Sequence, residues 1–235
     1  CMLSLSSKSG AGMLGATSSR ACSTAHLAPP PHRGRTWVML ALDAVQTAAL
    51  LPYPELADEI ASVLQAAAAG EVHALERGTA PLPGGGTFLA MAAADAEAAI
   101  VKVGSVHPLN AGRGLPTVQA VVVAIDAVDG TPRAVLDGTT VTTRRTAALS
   151  LLAARSLGAR ARTLLVVGGG TQARGHVEAL GVGLSAERVL VYARKAAQAE
   201  ALAGRARELG MQAGVVGPGA SALTAAVAQA ELVVT

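Results

Sequence analysis

A short apolar run closing on a cluster of glycines constrains this chain more than any other feature: Thr163–Val167 is followed by Gly168-Gly169-Gly170-Thr171-Gln172-Ala173. The spacing is G-x-G-x-x-A. In such a turn one glycine allows the tight reversal, the next lets backbone approach a pyrophosphate, and a small third residue lets helix pack close to strand. The helix that follows offers unpaired N–H groups and a positive dipole end to the phosphates. The motif is weak alone and gains weight from its context. The pattern predicts a strand before it, a helix after it to about Leu180, then strand Arg188–Tyr192, helix Ala196–Leu209, strand Ala213–Val216, helix Ser221–Ala228 and strand Leu232–Val234. This alternation predicts a doubly wound parallel sheet of the α/β class, a Rossmann domain, with a dinucleotide on Gly168, Gly169, Gly170, Thr171, Gln172 and Ala173. A plain structural turn is the rival reading of the same residues.

The second strand bears on which dinucleotide. NAD sites place an acid about 20 residues beyond the turn, where it accepts from the ribose 2′-hydroxyl. Here the strand runs into Tyr192-Ala193-Arg194-Lys195, with no acid. Arg194 suits a 2′-phosphate, so NADP(H) is preferred and NAD(H) remains possible. The bland alternative is a solvated pair of charges at the start of a loop.

Upstream the period changes. Leu40 to Ala69 reads as helical, with Asp43 as N-cap, Ala57, Ile60, Ala61 and Leu64 on one face, and Gly70 as the stop. From 71 to 136 the pattern is of strands and turns: Pro83-Gly84-Gly85-Gly86 is a turn, Ile100–Val103 and Val118–Ile125 are strands, and Asp129-Gly130 is a hairpin signal before Arg133–Leu136. That is an antiparallel sheet. Asp137 is read as a turn former, and Thr139 or Thr140 as the cap of a helix running to about Leu157.

Charge and cysteine are confined in a telling way. Before Asp43, the first acid, stand Lys8, Arg20, Arg33 and Arg35; without these four, 15 basic residues face 16 acidic ones. The body therefore has no basic stripe of the sort nucleic-acid binding requires. Cys1 and Cys22 both precede Asp43, so the rest of the chain offers no thiolate metal site and no cysteine nucleophile. Residues 1–36, rich in Ser, Gly, Ala and Pro, are expected to be a disordered extension, either a transit peptide or a mis-assigned gene start. The longest apolar run, 37–51, is broken by Asp43 and Gln46 and is too short to span a membrane, and a cytoplasmic location is expected.

Four stretches then carry a resemblance: Val72-His73-Ala74-Leu75-Glu76-Arg77 with Pro81–Gly85; Lys102 through Val106-His107-Pro108; Gly114–Gln119; and Leu136-Asp137-Gly138 followed by Thr142-Thr143-Arg144-Arg145-Thr146-Ala147-Ala148. In their order and spacing, from about Ala41 to Thr235, the chain resembles the ornithine cyclodeaminase/μ-crystallin family, and within it the bacterial ketimine reductases. The resemblance implies an α+β substrate-binding and dimerisation domain over 37–138, a connecting helix over 139–160, and a Rossmann domain over 161–235 that lacks the family's later elements. It implies NAD(P)H-dependent reduction of cyclic α-imino acids, Δ1-pyrroline-2-carboxylate or Δ1-piperideine-2-carboxylate, to L-proline or L-pipecolate, in a homodimer without metal. Ornithine cyclodeaminase activity with recycled NAD, or a non-catalytic crystallin-like or truncated protein, are the alternatives.

Residue by residue, the resemblance assigns the substrate carboxylate to Arg77, Lys102 and Arg145, with Lys102 the candidate catalytic group. It assigns cofactor contacts to Thr117, Arg145, Thr171, Gln172 and Thr235. The residues alone leave more open. Lys102 interrupts the apolar run Ile100–Val103, and either faces water or serves a site. Arg77 and Arg145 read equally well as surface charges, and His107, before Pro108, either lines the pocket or is a structural loop residue, the commoner case.

Overall fold

The structure, a computed structural model, describes residues 39–235, so the expectation for 1–36 lies outside the described residues. Asp43 is the N-cap of a short helix, α1 (Ala44–Ala49): its carboxylate accepts from Gln46 N at 2.8 Å while the Gln46 side chain accepts from Asp43 N at 3.1 Å. The expected N-cap is thus the observed one, and the helical pattern read from Leu40 begins only after it. Leu40–Leu42 form a strand, β1, because these three apolar residues find a sheet edge to join. Pro52 then breaks the helical run, since a proline inside it would lose a backbone donor and clash with the preceding turn. A separate helix, α2 (Tyr53–Ala68), begins after it and buries Tyr53, Leu56, Ala57 and Ile60. Leu64, expected on that face, is 53% exposed.

The strands β2 (His73–Ala74), β3 (Gly78–Leu82), β4 (Gly86–Ala94), β5 (Ala98–Val106), β6 (Val118–Asp126) and β7 (Pro132–Asp137) make a sheet with β1, in the order β1-β7-β6-β5-β4-β2, with β3 also on β4. All pairings are antiparallel except β1 with β7. Alternation splits the sheet into two faces. One cross-strand row runs Leu42, Leu136, Val122, Lys102, Met91, on the face whose Val122, Ala124, Ala134 and Leu136 are buried in the main core. The neighbouring row on the opposite face, Ala41, Val135, Val123, Val101, Ala92, is only partly covered, and beside it Val121 is 43% exposed and Phe88 39%.

From this sheet the chain enters α3 (Gly138–Ser156). The cap is Asp137, whose carboxylate accepts from Thr140 N at 2.6 Å, rather than Thr139 or Thr140. The expected turn residue is thus a capping residue. Thr139 and Thr140 lie inside the first turn, where the hydroxyl of Thr139 reaches back to the Val118 carbonyl at 3.4 Å.

The second sheet is wholly parallel, in the order β10-β9-β8-β11, from β8 (Thr163–Val167), β9 (Arg188–Tyr192), β10 (Gln212–Val215) and β11 (Leu232–Val234). Between them run α4 (Thr171–Gly183), α5 (Ala196–Glu208) and α6 (Ala220–Gln229). Both faces are covered. Leu164, Val166, Val189 and Val191 join the main core, while Leu165 and Leu190 meet Ala226 of α6. Continuous apolar strands are what a doubly covered parallel sheet demands. The α/β class expected from the alternation is the class observed. Helix α3 joins the two halves, packing on β6 and on α4. No helix among the described residues is long and apolar enough to cross a membrane.

Candidate active site

Strand β5 carries Lys102 on its covered face, between Met91 and Val122 in register. Its ammonium donates to the Thr142 hydroxyl, one turn into α3, at 3.1 Å. Arg145 follows Thr142 by three residues and so projects from the same side of the helix. Arg77, exposed in the link between β2 and β3, immediately precedes Gly78, whose partner Ala90 neighbours Met91. The three cations feel one another. Lys102 is held below its ordinary pKa of 10.5 by burial, and further by the Arg145 and Arg77 charges. Arg145 is likewise lowered by burial, then by Arg77. Among the described residues no carboxylate forms an ion pair with any of the three. Like charges gathered without an acid lower folding stability, and a small carboxylate ligand relieves that cost.

The glycine turn lies in the second half, between β8 and α4. Gly168 has φ +144° and donates to the Tyr192 carbonyl at 2.8 Å, tying the turn to the end of β9. A Cβ on Gly169 would stand 2.8 Å from Gln198 Cβ and 3.1 Å from Ala193 Cβ, so no larger residue fits there without displacement. Gly170 begins α4 without a side-chain cap, which leaves the first N–H groups of the helix to a ligand. Space remains beside Gly170 itself. An open cradle, an uncapped helix end and a β9 terminus within contact fit a dinucleotide diphosphate. Gly168, Gly170, Gln172 and Ala173 line a cleft of about 180 Å³ together with Thr235 and His176. Thr171 lines a second crevice, with Thr140, Thr143 and Arg144. Arg194 and Lys195 are exposed just beyond β9, next to the Ala193 that abuts Gly169.

Thr117 precedes β6, and its carbonyl accepts from His107 N at 2.8 Å. The His107 ring packs where a side chain on Gly86 would go, which explains the residue as loop packing. Three contributors carried no assigned role in the sequence. Thr142 accepts the Lys102 ammonium. His176, four residues after Gln172, is buried at the floor of the cleft: its Nδ1 is 2.8 Å from the Gln172 carbonyl and its Nε2 2.9 Å from the Ser150 hydroxyl. Tyr53 fixes α2 against α4 through Glu178. The four-residue spacing of Gln172 and His176 was the one local signal for any of them. Among the described residues no group of His, Cys, Asp or Glu is arranged to hold a metal ion.

The chain is 44% identical over 162 residues to a Delta(1)-pyrroline-2-carboxylate reductase 2 of Burkholderia ambifaria, an overlap covering 68% of this chain and 52% of that protein. It therefore spans about half the length of the curated relatives it matches. Among solved structures, the Thermococcus litoralis Delta(1)-pyrroline-2-carboxylate reductase in complex with NADH and L-proline superposes with a TM-score of 0.75 at 26% identity, covering 83% of this chain and 61% of that one. An archaeal alanine dehydrogenase dimer with bound NAD gives a TM-score of 0.68 at 27% identity, covering 78% of this chain and 56% of that one. The ornithine cyclodeaminase/mu-crystallin family profile matches residues 37–235, which takes in the whole of the described region. The chain belongs to the ornithine cyclodeaminase/mu-crystallin family.

Proposed function

We propose that this chain serves the NAD(P)H-dependent reduction of cyclic α-imino acids, Δ1-pyrroline-2-carboxylate or its six-membered homologue, to the L-amino acids. The observation that carries this reading is the acid-free meeting of Arg77, Lys102 and Arg145 on a scaffold that also holds a dinucleotide cradle. Gly168, Gly169 and Gly170, with the first turn of α4 at Thr171, Gln172 and Ala173, hold the diphosphate. Thr117, Arg145 and Thr235 complete the cofactor contacts, and Arg194 favours a 2′-phosphate, hence NADP(H) over NAD(H). Held there, a reduced nicotinamide would supply the hydride for the imine carbon.

The protein's share of the chemistry is orientation and charge. Arg77 and Arg145 offer planar donor forks to the substrate carboxylate, and Lys102 adds a point charge. Lys102 is also the cation whose lowered pKa best suits it to pass a proton to the imine nitrogen. Fixing the ring this way turns an encounter of two ligands into a reaction within one complex. The reductase names of the relatives, and the lack of an acid after β9, favour this reading over an ammonia-lyase that recycles NAD or a purely binding role.

The same reading puts a second copy of the chain on the open face of the first sheet, around Val101, Val121, Val123 and Phe88, as a homodimer. Loss of nicotinamide absorbance on mixing the chain with NADPH and either cyclic imine tests the activity. If neither imine is turned over, the reading fails.

A further inference from the structure

The Thr142 hydroxyl is committed in an unusual way. Four hydroxyls of α3 turn back onto the carbonyl four residues earlier: Thr142 to Gly138 at 2.6 Å, Thr143 to Thr139 at 3.0 Å, Thr146 to Thr142 at 2.7 Å and Ser150 to Thr146 at 3.3 Å. Such bonds are ordinary in helices and contribute little. Thr142 alone among them also meets an ammonium. Its one proton points to Gly138, so its lone pairs are left to accept from Lys102 Nζ at 3.1 Å.

This contact has consequences for a lysine in such surroundings. The charged groups facing Lys102 are Arg145 from α3 and Arg77 from the β2–β3 link, and both repel it. Its neighbours on β4 and β6, Met91 and Val122, are uncharged. Without an acceptor, a long flexible side chain repelled by two guanidinium charges is free to swing toward water. Among the described residues Thr142 is the one hydrogen-bond acceptor of Lys102, and it takes one N–H and leaves two for a ligand.

We propose that Thr142 is a positioning residue for Lys102: its hydroxyl, oriented by the Gly138 carbonyl, holds the ammonium at the cation cluster so that the ligand's carboxylate meets a preset donor. The inference rests on the carboxylate-binding reading given above and deepens it. Pre-fixing one lysine side chain avoids an ordering cost, equivalent to about a three- to tenfold gain in affinity.

The test exploits a sparse label. Lys8, Lys102 and Lys195 are the three lysines of the chain, so isotope-labelled lysine gives three side-chain nitrogen signals, assigned by Lys→Arg variants. The full chain and its Thr142→Val, Thr142→Ala and Thr142→Ser variants are titrated with base, and separately with L-proline as the carboxylate probe. Thr142→Val keeps the β-branched shape and Thr142→Ala guards against a valine that packs badly. Amide spectra verify each fold. The expected result is that Val and Ala lower the pH at which the Lys102 signal titrates and weaken L-proline about three- to tenfold, while Ser matches the original. An unchanged Lys102 titration in both Val and Ala overturns the proposal, as does an unchanged L-proline affinity in both. If the original chain fails to bind L-proline while the two variants still shift the Lys102 titration, the positioning role stands and the substrate reading falls.

Discussion

Tyr53 and Glu178, 125 residues apart in sequence, meet at 3.3 Å, the phenol donating to the carboxylate across the junction between α2 and α4. The Arg144 guanidinium lies 3.9 Å over the Tyr53 ring, and Glu178 also binds Arg174 at 3.3 Å and Arg205 at 2.8 Å. Burial pushes the Tyr53 pKa up to about 12, against an ordinary 10.0, and Glu178 adds to the rise while Arg144 opposes it. A phenol raised in the folded state contributes stability that is complete below pH 10 and is lost as pH climbs through the folded value. The expected contribution is on the order of 2 kcal/mol. Denaturant titrations of the original chain should therefore show stability falling between about pH 10 and 12, and Tyr53→Phe should flatten that decline. Glu178→Gln should bring the phenolate absorbance transition down only partway, because burial is the first cause.

The Lys102 shift predicts opposite effects on binding and on folding. Its pKa is lowered in the folded state, so the unfolded chain binds more protons between the lowered value and 10.5. Stability from this group consequently rises with pH across that window, and at neutral pH its destabilising charge is fully present. Lys102→Met should melt higher, by about 2 °C, yet bind L-proline more weakly by about 1.5–3 kcal/mol. For the original chain, carboxylate affinity should begin to fall with rising pH before an ordinary lysine would lose its charge. Calorimetric melting and a binding series against pH check both arms.

Gly169→Ala isolates the cradle. The added methyl meets Gln198 Cβ at 2.8 Å and Ala193 Cβ at 3.1 Å, so either the turn or the start of α5 must move. A displacement of the turn would fall on the backbone proposed to receive the diphosphate. NADPH affinity measured by cofactor fluorescence should drop about tenfold or more, the size of one hydrogen bond to a charged group, while L-proline binding to the cation cluster stays the same.

Arg194→Glu addresses cofactor choice. Arg194 is exposed and lies two residues beyond β9, in the region where an acid would bind a free ribose hydroxyl. The substitution should weaken NADPH by about 10- to 100-fold, the size of a charge-assisted pairing with phosphate, and leave NADH unchanged or tighter. Equal losses for the two cofactors would show that Arg194 does not read the 2′-phosphate.

The parallel half was legible because its central strands, β8 and β9, are buried through their middle residues on both faces. Continuous apolar runs such as Thr163–Val167 and Arg188–Tyr192 leave little choice of period, and both strands have the expected bounds. The first half was less so, for reasons specific to its residues. Leu40–Leu42 carries no helix or strand period in three residues; only the tertiary partner β7 makes it a strand. Asp137 has the composition of a turn and the job of a cap, and Thr139 and Thr140 beside it are equally good caps by type. Arg77, Lys102 and Arg145 look like scattered surface charges in sequence, and their meeting depends on the register of β4 with β5 and on the rotation of α3. Thr142, Tyr53 and His176 act through partners 40, 125 and 26 residues away, a range that local pattern does not reach.

Whether the cation cluster orients a cyclic α-imino acid toward a reduced nicotinamide is tested most sharply by following the hydride itself. NADPH deuterated at the transferable position is incubated with the chain and Δ1-pyrroline-2-carboxylate, and the proline formed is examined by mass spectrometry and chiral chromatography. The expected product is L-proline carrying one deuterium at its α-carbon, and Lys102→Met should abolish it. Proline that forms without deuterium, deuterated proline that is equally abundant with Lys102→Met, or no proline from the original chain would each refute the proposed orientation.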